Sequence, residues 1–212
     1  MPELTIAIAK GRLKRESVEL FARAGLHLSA AENSRRLAMH DESGKARFIF
    51  VKPSDVSVYV EHGIADCGVV GRDVLMESEA DLLQPLSLRI GSCRIAIAAL
   101  NDLPKNGHSM LRVATKYPRV AAQYFGERGQ PVEVIQLSGS VELAPVLGLA
   151  DCIVDLVETG KTLRDNGLKI IEVIAESTAV LAINRASYQL KAKAIGELIK
   201  AIKNVLKRER DD

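Results

Sequence analysis

The residues with the clearest chemical purpose lie at 151–163, Asp-Cys-Ile-Val-Asp-Leu-Val-Glu-Thr-Gly-Lys-Thr-Leu. An apolar run ends at Asp155, and a short stretch through Glu158, Thr159, Gly160, Lys161 and Thr162 opens a helix. Unpaired N–H groups at a helix start, the positive helix end and two hydroxyls together make a cradle for phosphate. Gly160 lets the backbone approach an anion with no side chain between them. Asp155, at the strand end, can take the hydroxyls of a sugar whose phosphate lies in the loop. Thr159 would equally serve as a plain helix cap, and spacing alone leaves both roles open. Gly-Lys-Thr also ends the P-loop of nucleotide triphosphatases, but that motif needs glycine where Asp155 stands. The P-loop reading fails.

Weaker signals repeat the arrangement. Ser138-Gly139-Ser140, followed by Val141 and Glu142, reads either as a second anion nest or as a common turn. Lys10-Gly11-Arg12 sets two cations around a glycine at a strand-to-helix junction, which suits a polyphosphate or an ordinary surface. Gly71, Arg72 and Asp73 end another strand with a small residue and a charge pair, and Lys52 closes a third. His27, His40, His62 and His108 stand at no spacing that pairs them with a cysteine or carboxylate as nucleophile or metal ligand, so all four read as structural or surface residues.

Strand-like and helix-like runs must position these groups. The spacing predicts strands at 4–9, 36–40, 47–52, 67–70, 82–88 and 94–100. Further strands are expected at 111–115, 132–136, 152–156, 168–175 and 178–183. Helices are expected from 13 to Gly25, from Pro53 to about His62, at 118–128, from Val141, from Thr159 and at 190–206. Glu42-Ser43-Gly44-Lys45 reads as a hairpin turn. In the last helix Leu190, Leu198, Ile202 and Val205 share a face, and Lys191, Lys193, Lys200, Lys203 and Lys207 read as a solvated one. Back-to-back strands near 88–95 and 175–182 divide the chain into two lobes, 1–91 with 180–212 and 92–179. The expected class is α/β and two-lobed, with ligand in the cleft at the carboxyl ends of the strands.

Composition narrows the function. Of the 212 residues 47% are hydrophobic and 26% charged, enough for a buried core. A net charge of +2, four Phe, four Tyr and no Trp give nucleic acid neither a basic field nor stacking surface. Cys67, Cys93 and Cys152 sit apart in apolar runs and read as buried thiols. No apolar stretch approaches the ~18 residues that cross a bilayer, and no basic stretch with a cleavage site opens the chain. The expectation is a cytoplasmic, reduced protein without membrane or nucleic-acid partners.

Along nearly its whole length the sequence resembles the ATP phosphoribosyltransferase family. Glu142, Gly148, Ala150, Ile153, Asp155, Leu156, Thr159, Gly160, Thr162, Leu163, Asn166 and Leu168 match its signature at every spacing. Lys10-Gly11-Arg12-Leu13, residues 65–73 and residues 114–118 also look like family segments in the right order. The resemblance implies a fold like the type II periplasmic binding proteins, with the active site in the inter-lobe cleft. It implies attack by adenine N1 of ATP on the anomeric carbon of phosphoribosyl pyrophosphate, the first step of histidine biosynthesis, with Mg²⁺ carried by the substrate assisting departure of pyrophosphate. Glu158, Thr159, Gly160, Lys161 and Thr162 would hold the 5-phosphate. Asp155 and Glu142 would meet the ribose hydroxyls or the metal-bound region. Lys10, Gly11, Arg12, Lys52, Gly71, Arg72 and Asp73 would lie toward ATP and pyrophosphate, and Lys10, Arg12 and Asp155 would be catalytic. Lys52 departs from relatives that often carry Arg, and a lysine cannot fork onto phosphate.

The chemistry suits these residue types, because adenine N1 has a free lone pair and needs no strong base. Positioning, cations and metal can lower the barrier. The resemblance also implies a homodimer of the short form. It would lack a C-terminal regulatory domain and assemble with a regulatory subunit resembling histidyl-tRNA synthetase. Another phosphoribosyltransferase would usually show two adjacent acids where Asp155-Leu156 stands, and a solute-binding protein of this fold would normally carry a secretion signal.

Overall fold

Strands that are apolar on both sides bury both faces, as β1 (Leu4–Ala9), apolar except for Thr5, does along its whole length. A computed structural model describes residues 3–28, 37–103 and 110–211. After β1 come α1 (Arg12–Arg23), β2 (Ala38–His40), β3 (Ala46–Val51), α2 (Pro53–Glu61), β4 (Cys67–Gly71), α3 (Arg72–Ser78) and β5 (Leu83–Ser87). Next are β6 (Cys93–Ala99), β7 (Leu111–Thr115), α4 (Pro118–Glu127), β8 (Val132–Gln136), α5 (Leu143–Val146), β9 (Cys152–Val157), α6 (Lys161–Asp165) and β10 (Lys169–Ser177). The chain closes with β11 (Ala179–Ile183), α7 (Arg185–Leu190) and α8 (Ala192–Asp211).

These elements form two compact units. One runs through Gly91 and resumes at Thr178; the other is Ser92–Ser177. The first is built on a six-stranded sheet in the order β2-β3-β1-β4-β11-β5. Side chains alternate across a strand, and β1 uses that alternation to sort size. Ile6 and Ile8 join Leu20, Phe21, Ile195, Leu198 and Ile202 on the face under α1 and α8. Ala7 and Ala9 join Val56, Val60 and Leu75 under α2 and α3. The small residues let α2 sit close: a Cβ added at Gly68 would lie 2.7 Å from Val56 Cγ1. Replacing Gly68 would force the helix off the sheet.

The second unit repeats the scheme on a five-stranded sheet, β10-β6-β9-β7-β8. Ile95, Ile97, Val113 and Val154 pack with Val120, Tyr124 and Phe125 of α4. Ala96, Ala98 and Ala114 pack with Ala144 and Leu163, from α5 and α6.

Several expectations need correction. Residues 72–78 form α3, a helix the spacing did not announce. The helix expected from Val141 is the single turn α5. The long terminal helix is two helices, broken at Lys191. Leu190 ends α7 with 84% exposure, whereas Leu198, Ile202 and Val205 are buried. Lys191 leaves the solvated row: its ammonium lies 2.7 Å from Asp66 Oδ2 and donates to the Glu3 carbonyl at 2.9 Å. Asp66 Oδ2 also accepts from Thr5 N at 2.8 Å. The helix break therefore falls at the residue held by this tertiary ion pair. Arg36 and His108 lie outside the described residues. All three cysteines are free and buried, and burial pushes the Cys152 thiol up to about 12.

Candidate active site

Strand direction and register decide which functional groups share an edge. In the first unit β1 runs parallel to β3 and β4, with Ala9 opposite Val51 and Ile8 opposite Val69. The residues that follow these strands therefore emerge at one carboxyl edge. Lys10 comes first, exposed, its N–H on the Val51 carbonyl at 2.8 Å. Lys52 is the exposed N-cap of α2, and Pro53 fits behind it because a first helical residue needs no N–H donor. Arg72 opens α3, is exposed, and donates its backbone N–H to the Thr178 carbonyl at 3.0 Å. Register brings these three cations together.

The neighbouring residues are placed differently. Gly11 holds φ 88° as it turns the chain into α1, a conformation that disfavours any side chain. Arg12 opens α1, and its Nη2 donates to the Gly91 carbonyl at 3.2 Å. Glu16 of the same helix accepts from Gly91 N at 2.9 Å. Asp73 is buried, and a Cβ on Gly71 would fall 2.2 Å from its Oδ1. The Asp73 carboxylate is folded back over its own strand end, which accounts for the glycine there.

In the second unit β7 runs parallel to β8 and β9, with Thr115 opposite both Gln136 and Val154. Three loops leave the same carboxyl edge. The first begins at Lys116. The second carries Ser138, Gly139 and Ser140, with φ 47° at Ser140, and delivers Glu142, half-buried, to the cap position of α5. The third leaves after Val157, so the strand runs two residues past the end expected at Asp155; that residue is 8% exposed and accepts from Leu156 N at 2.8 Å through Oδ1. Glu158, Thr159, Lys161 and Thr162 are exposed along it.

The geometry of the loop after β9 departs from the sequence reading in one respect. Gly160, not Thr159, caps α6, with φ 69° and no side-chain cap bond. Thr159 Oγ1 accepts weakly from Lys161 N at 3.3 Å. Because α6 has five residues, its dipole is small, and the loop's capacity for an anion rests on N–H groups, hydroxyls and cations.

Two of the cations were missed by sequence reasoning. Arg164 turns back so that Nη1 donates to the Thr159 carbonyl at 3.0 Å. Lys116 Nζ lies 3.8 Å from Asp155 Oδ2. Lys116 was legible by the rule that selected Lys10 and Lys52, since it directly follows a parallel strand. Arg164 gave no comparable signal, because its return depends on the left-handed turn at Gly160.

Elsewhere, His40 Nδ1 pairs with Glu3 Oε1 at 2.7 Å on the surface. Among the described residues no group of three or more His, Cys, Asp or Glu is gathered as a metal cage. Nor is any described helix long and apolar enough to cross a membrane.

Comparison with known proteins shows the family. The family model described as HisG: ATP phosphoribosyltransferase matches residues 52–204. The ATP phosphoribosyltransferase of Clostridioides difficile (strain 630) is 48% identical over 201 residues, covering 94% of this chain and 97% of that one. Among solved structures, the ATP phosphoribosyl transferase (HisG:HisZ) complex from Thermotoga maritima matches with a TM-score of 0.84 and 33% identity, over 97% of this chain and 98% of that chain. A putative L-cystine ABC transporter from Listeria monocytogenes matches with a TM-score of 0.62 at 15% identity, over 98% and 92% of the two chains, a likeness of fold alone.

Proposed function

We infer the working of this chain from the premise that it belongs to the ATP phosphoribosyltransferase family. It transfers the 5-phosphoribosyl group of phosphoribosyl pyrophosphate to N1 of the adenine of ATP. The products are N1-(5-phosphoribosyl)-ATP and diphosphate, and the reaction opens histidine biosynthesis. The observation that carries the division of roles lies in β9, where the buried Asp155 carboxylate stands two residues before the strand's last residue, Val157, and the loop beyond exposes Thr159 and Thr162.

In this reading Glu158, Thr159, Gly160, Lys161 and Thr162 take the 5-phosphate through N–H groups and hydroxyls. Asp155, with Glu142 beside the next strand end, accepts the ribose hydroxyls and so orients the anomeric carbon. Lys10, Gly11, Arg12, Lys52, Gly71 and Arg72 serve ATP and the leaving pyrophosphate. Asp73 supports that edge by holding the turn at Gly71. The adenine N1 lone pair attacks the anomeric carbon as the bond to pyrophosphate breaks, and both electrons of that bond leave with the pyrophosphate. Lys10 and Arg12 neutralise the charge that develops. Arg12 must release the Gly91 carbonyl to do so.

Members of the family commonly need a metal, and we assign Mg²⁺. It takes few protein ligands and prefers phosphate oxygens, so it would enter with the substrate, within reach of Asp155. Bound there, it would supply charge neutralisation to the pyrophosphate.

We further propose a cytoplasmic homodimer that assembles with a regulatory subunit of the HisZ kind, resembling histidyl-tRNA synthetase. The Thermotoga maritima relative was solved as an ATP phosphoribosyl transferase (HisG:HisZ) complex. Incubating the chain with ATP, phosphoribosyl pyrophosphate and MgCl₂, with and without that partner, tests the function by absorbance and product mass. Phosphoribosyl-ATP should form, and the partner should raise turnover and confer histidine sensitivity, with a coupling of ~1–3 kcal/mol. No product under either condition would overturn the assignment. Strong histidine inhibition of the isolated chain would overturn the two-subunit part.

A further inference from the structure

We propose that Lys116 is a further residue of the phosphoribosyl pyrophosphate site, its ammonium meeting the pyrophosphate end of that substrate beside Asp155. The proposal rests on the functional reading above and adds a group to it.

Placement is the first argument. Thr115 is fully buried, donates its hydroxyl to the Val154 carbonyl at 2.6 Å, and accepts from Tyr117 N at 2.8 Å. The hydroxyl staples the end of β7 to the middle of β9 and holds the Tyr117 N–H, so the chain is fixed on both sides of residue 116. Thr115 stands opposite Val154, so the next residues along the two parallel strands are Lys116 and Asp155. The lysine is held to the carboxylate by backbone register as well as by charge.

The second argument is the openness of the pair. Charge-assisted hydrogen bonds run to about 2.7–2.9 Å. The Lys116–Asp155 separation is 3.8 Å, with the lysine side chain 40% exposed. The other end of the same strands gives a contrast. There Arg112 closes on Asp151 with Nη2 to Oδ1 at 2.9 Å and its own N–H to Oδ2 at 2.8 Å. That pair is saturated and structural. At Lys116 the ammonium has three donors and a longer approach, so it can serve a ligand anion while still countering Asp155.

Chemistry supplies the need. A carboxylate that receives ribose hydroxyls must sit close to the substrate's pyrophosphate, and two like charges repel in a partly buried site. A lysine between them removes the repulsion. Its ammonium also tolerates rearrangement as pyrophosphate departs, because it acts as a point charge and imposes no planar fork.

The test is titration of the full-length chain, in Mg²⁺, with phosphoribosyl pyrophosphate and with ATP, for wild type, K116Q and K116R. K116Q should weaken phosphoribosyl pyrophosphate roughly ten- to hundredfold and change ATP less than about twofold, while K116R recovers most of the loss. Unchanged phosphoribosyl pyrophosphate affinity, or equal loss for both ligands, would overturn the proposal. Acylation of lysines by sulfosuccinimidyl acetate, mapped by peptide mass, gives a second measurement on unmutated protein. Phosphoribosyl pyrophosphate should shield Lys116 and ATP should not; no shielding overturns the proposal even if K116Q fails to fold. A wild-type chain that never makes phosphoribosyl-ATP would instead defeat the functional reading. An active wild type with an unaffected K116Q would defeat only the role of Lys116.

Discussion

The two units share a plan and differ at their strand ends. Each sheet gathers its alanines, among valines and isoleucines, mainly on one face, and each directs three parallel strands to one carboxyl edge. At the first edge Lys10, Lys52 and Arg72 come from three separate strands, as exposed cations on long stems. At the second, hydroxyls, backbone N–H groups, a glycine turn and the buried Asp155 follow one another within a few residues. Cations on stems attract phosphate over distance, with loose geometry and strong sensitivity to salt. A short loop backed by a buried carboxylate acts only at contact, and directionally. One plan can thus give capture at one edge and orientation at the other.

The sharpest way to break this comparison is Asp155→Asn. Turnover should fall roughly hundredfold or more, the equivalent of about 2.7 kcal/mol, while the thermal midpoint stays nearly unchanged. A variant that unfolds would make Asp155 structural and remove the orientation role. Next in size, Thr159→Val or Thr162→Val should weaken phosphoribosyl pyrophosphate roughly ten- to hundredfold, through ~1.5–3 kcal/mol lost per charged contact. Equal weakening of ATP, measured in parallel titrations, would erase the distinction between the edges.

The first edge sharpens the contrast through salt. Lys10→Ala or Lys52→Ala should weaken ATP about three- to tenfold in dilute buffer, and the loss should shrink as ionic strength approaches ~0.5 M. A loss independent of salt would mean contact recognition there too.

The smallest effect concerns the frame. Burial works against ionising Asp41, but the Ser43 hydroxyl and the N–H groups of His27, Lys45 and Ser43 outweigh it and hold the carboxyl below its ordinary 3.8. A depressed folded value stabilises above the unfolded pKa, and that contribution disappears as pH falls through the folded one. Asp41→Asn should lower the midpoint by about 2–4 °C at pH 7, and the gap should close below roughly pH 4. A gap that persists in acid would contradict this.

Much of the plan was legible because buried strands announce themselves. The buried run Leu4–Ala9 and the half-buried run Val132–Gln136, behind Pro131, are bounded clearly enough to be placed to the residue. Gly11 and Gly160 marked their turns, since left-handed backbone favours glycine. What escaped was set by contacts distant in sequence. Lys191, where the helix breaks, pairs with Asp66, and the buried Asp73 folds over Gly71. Helix α3 is short and sits between two strands, where its period has little room to show.

Strand β11 has a consequence for how the protein is made. It lies inside the first sheet, hydrogen-bonded to β4 on one side and β5 on the other, yet it is translated after the whole of the second unit. The ribosome therefore releases residues through Gly91 as an incomplete sheet with an open seam, and that seam waits while Ser92–Ser177 emerges as a continuous stretch. At ~5–20 residues per second the wait lasts several seconds, long enough for the later unit to fold first. Unpaired strand edges invite other chains during such a delay. The stretch through Gly91 is thus the part of the nascent protein that spends longest with an unpaired strand edge.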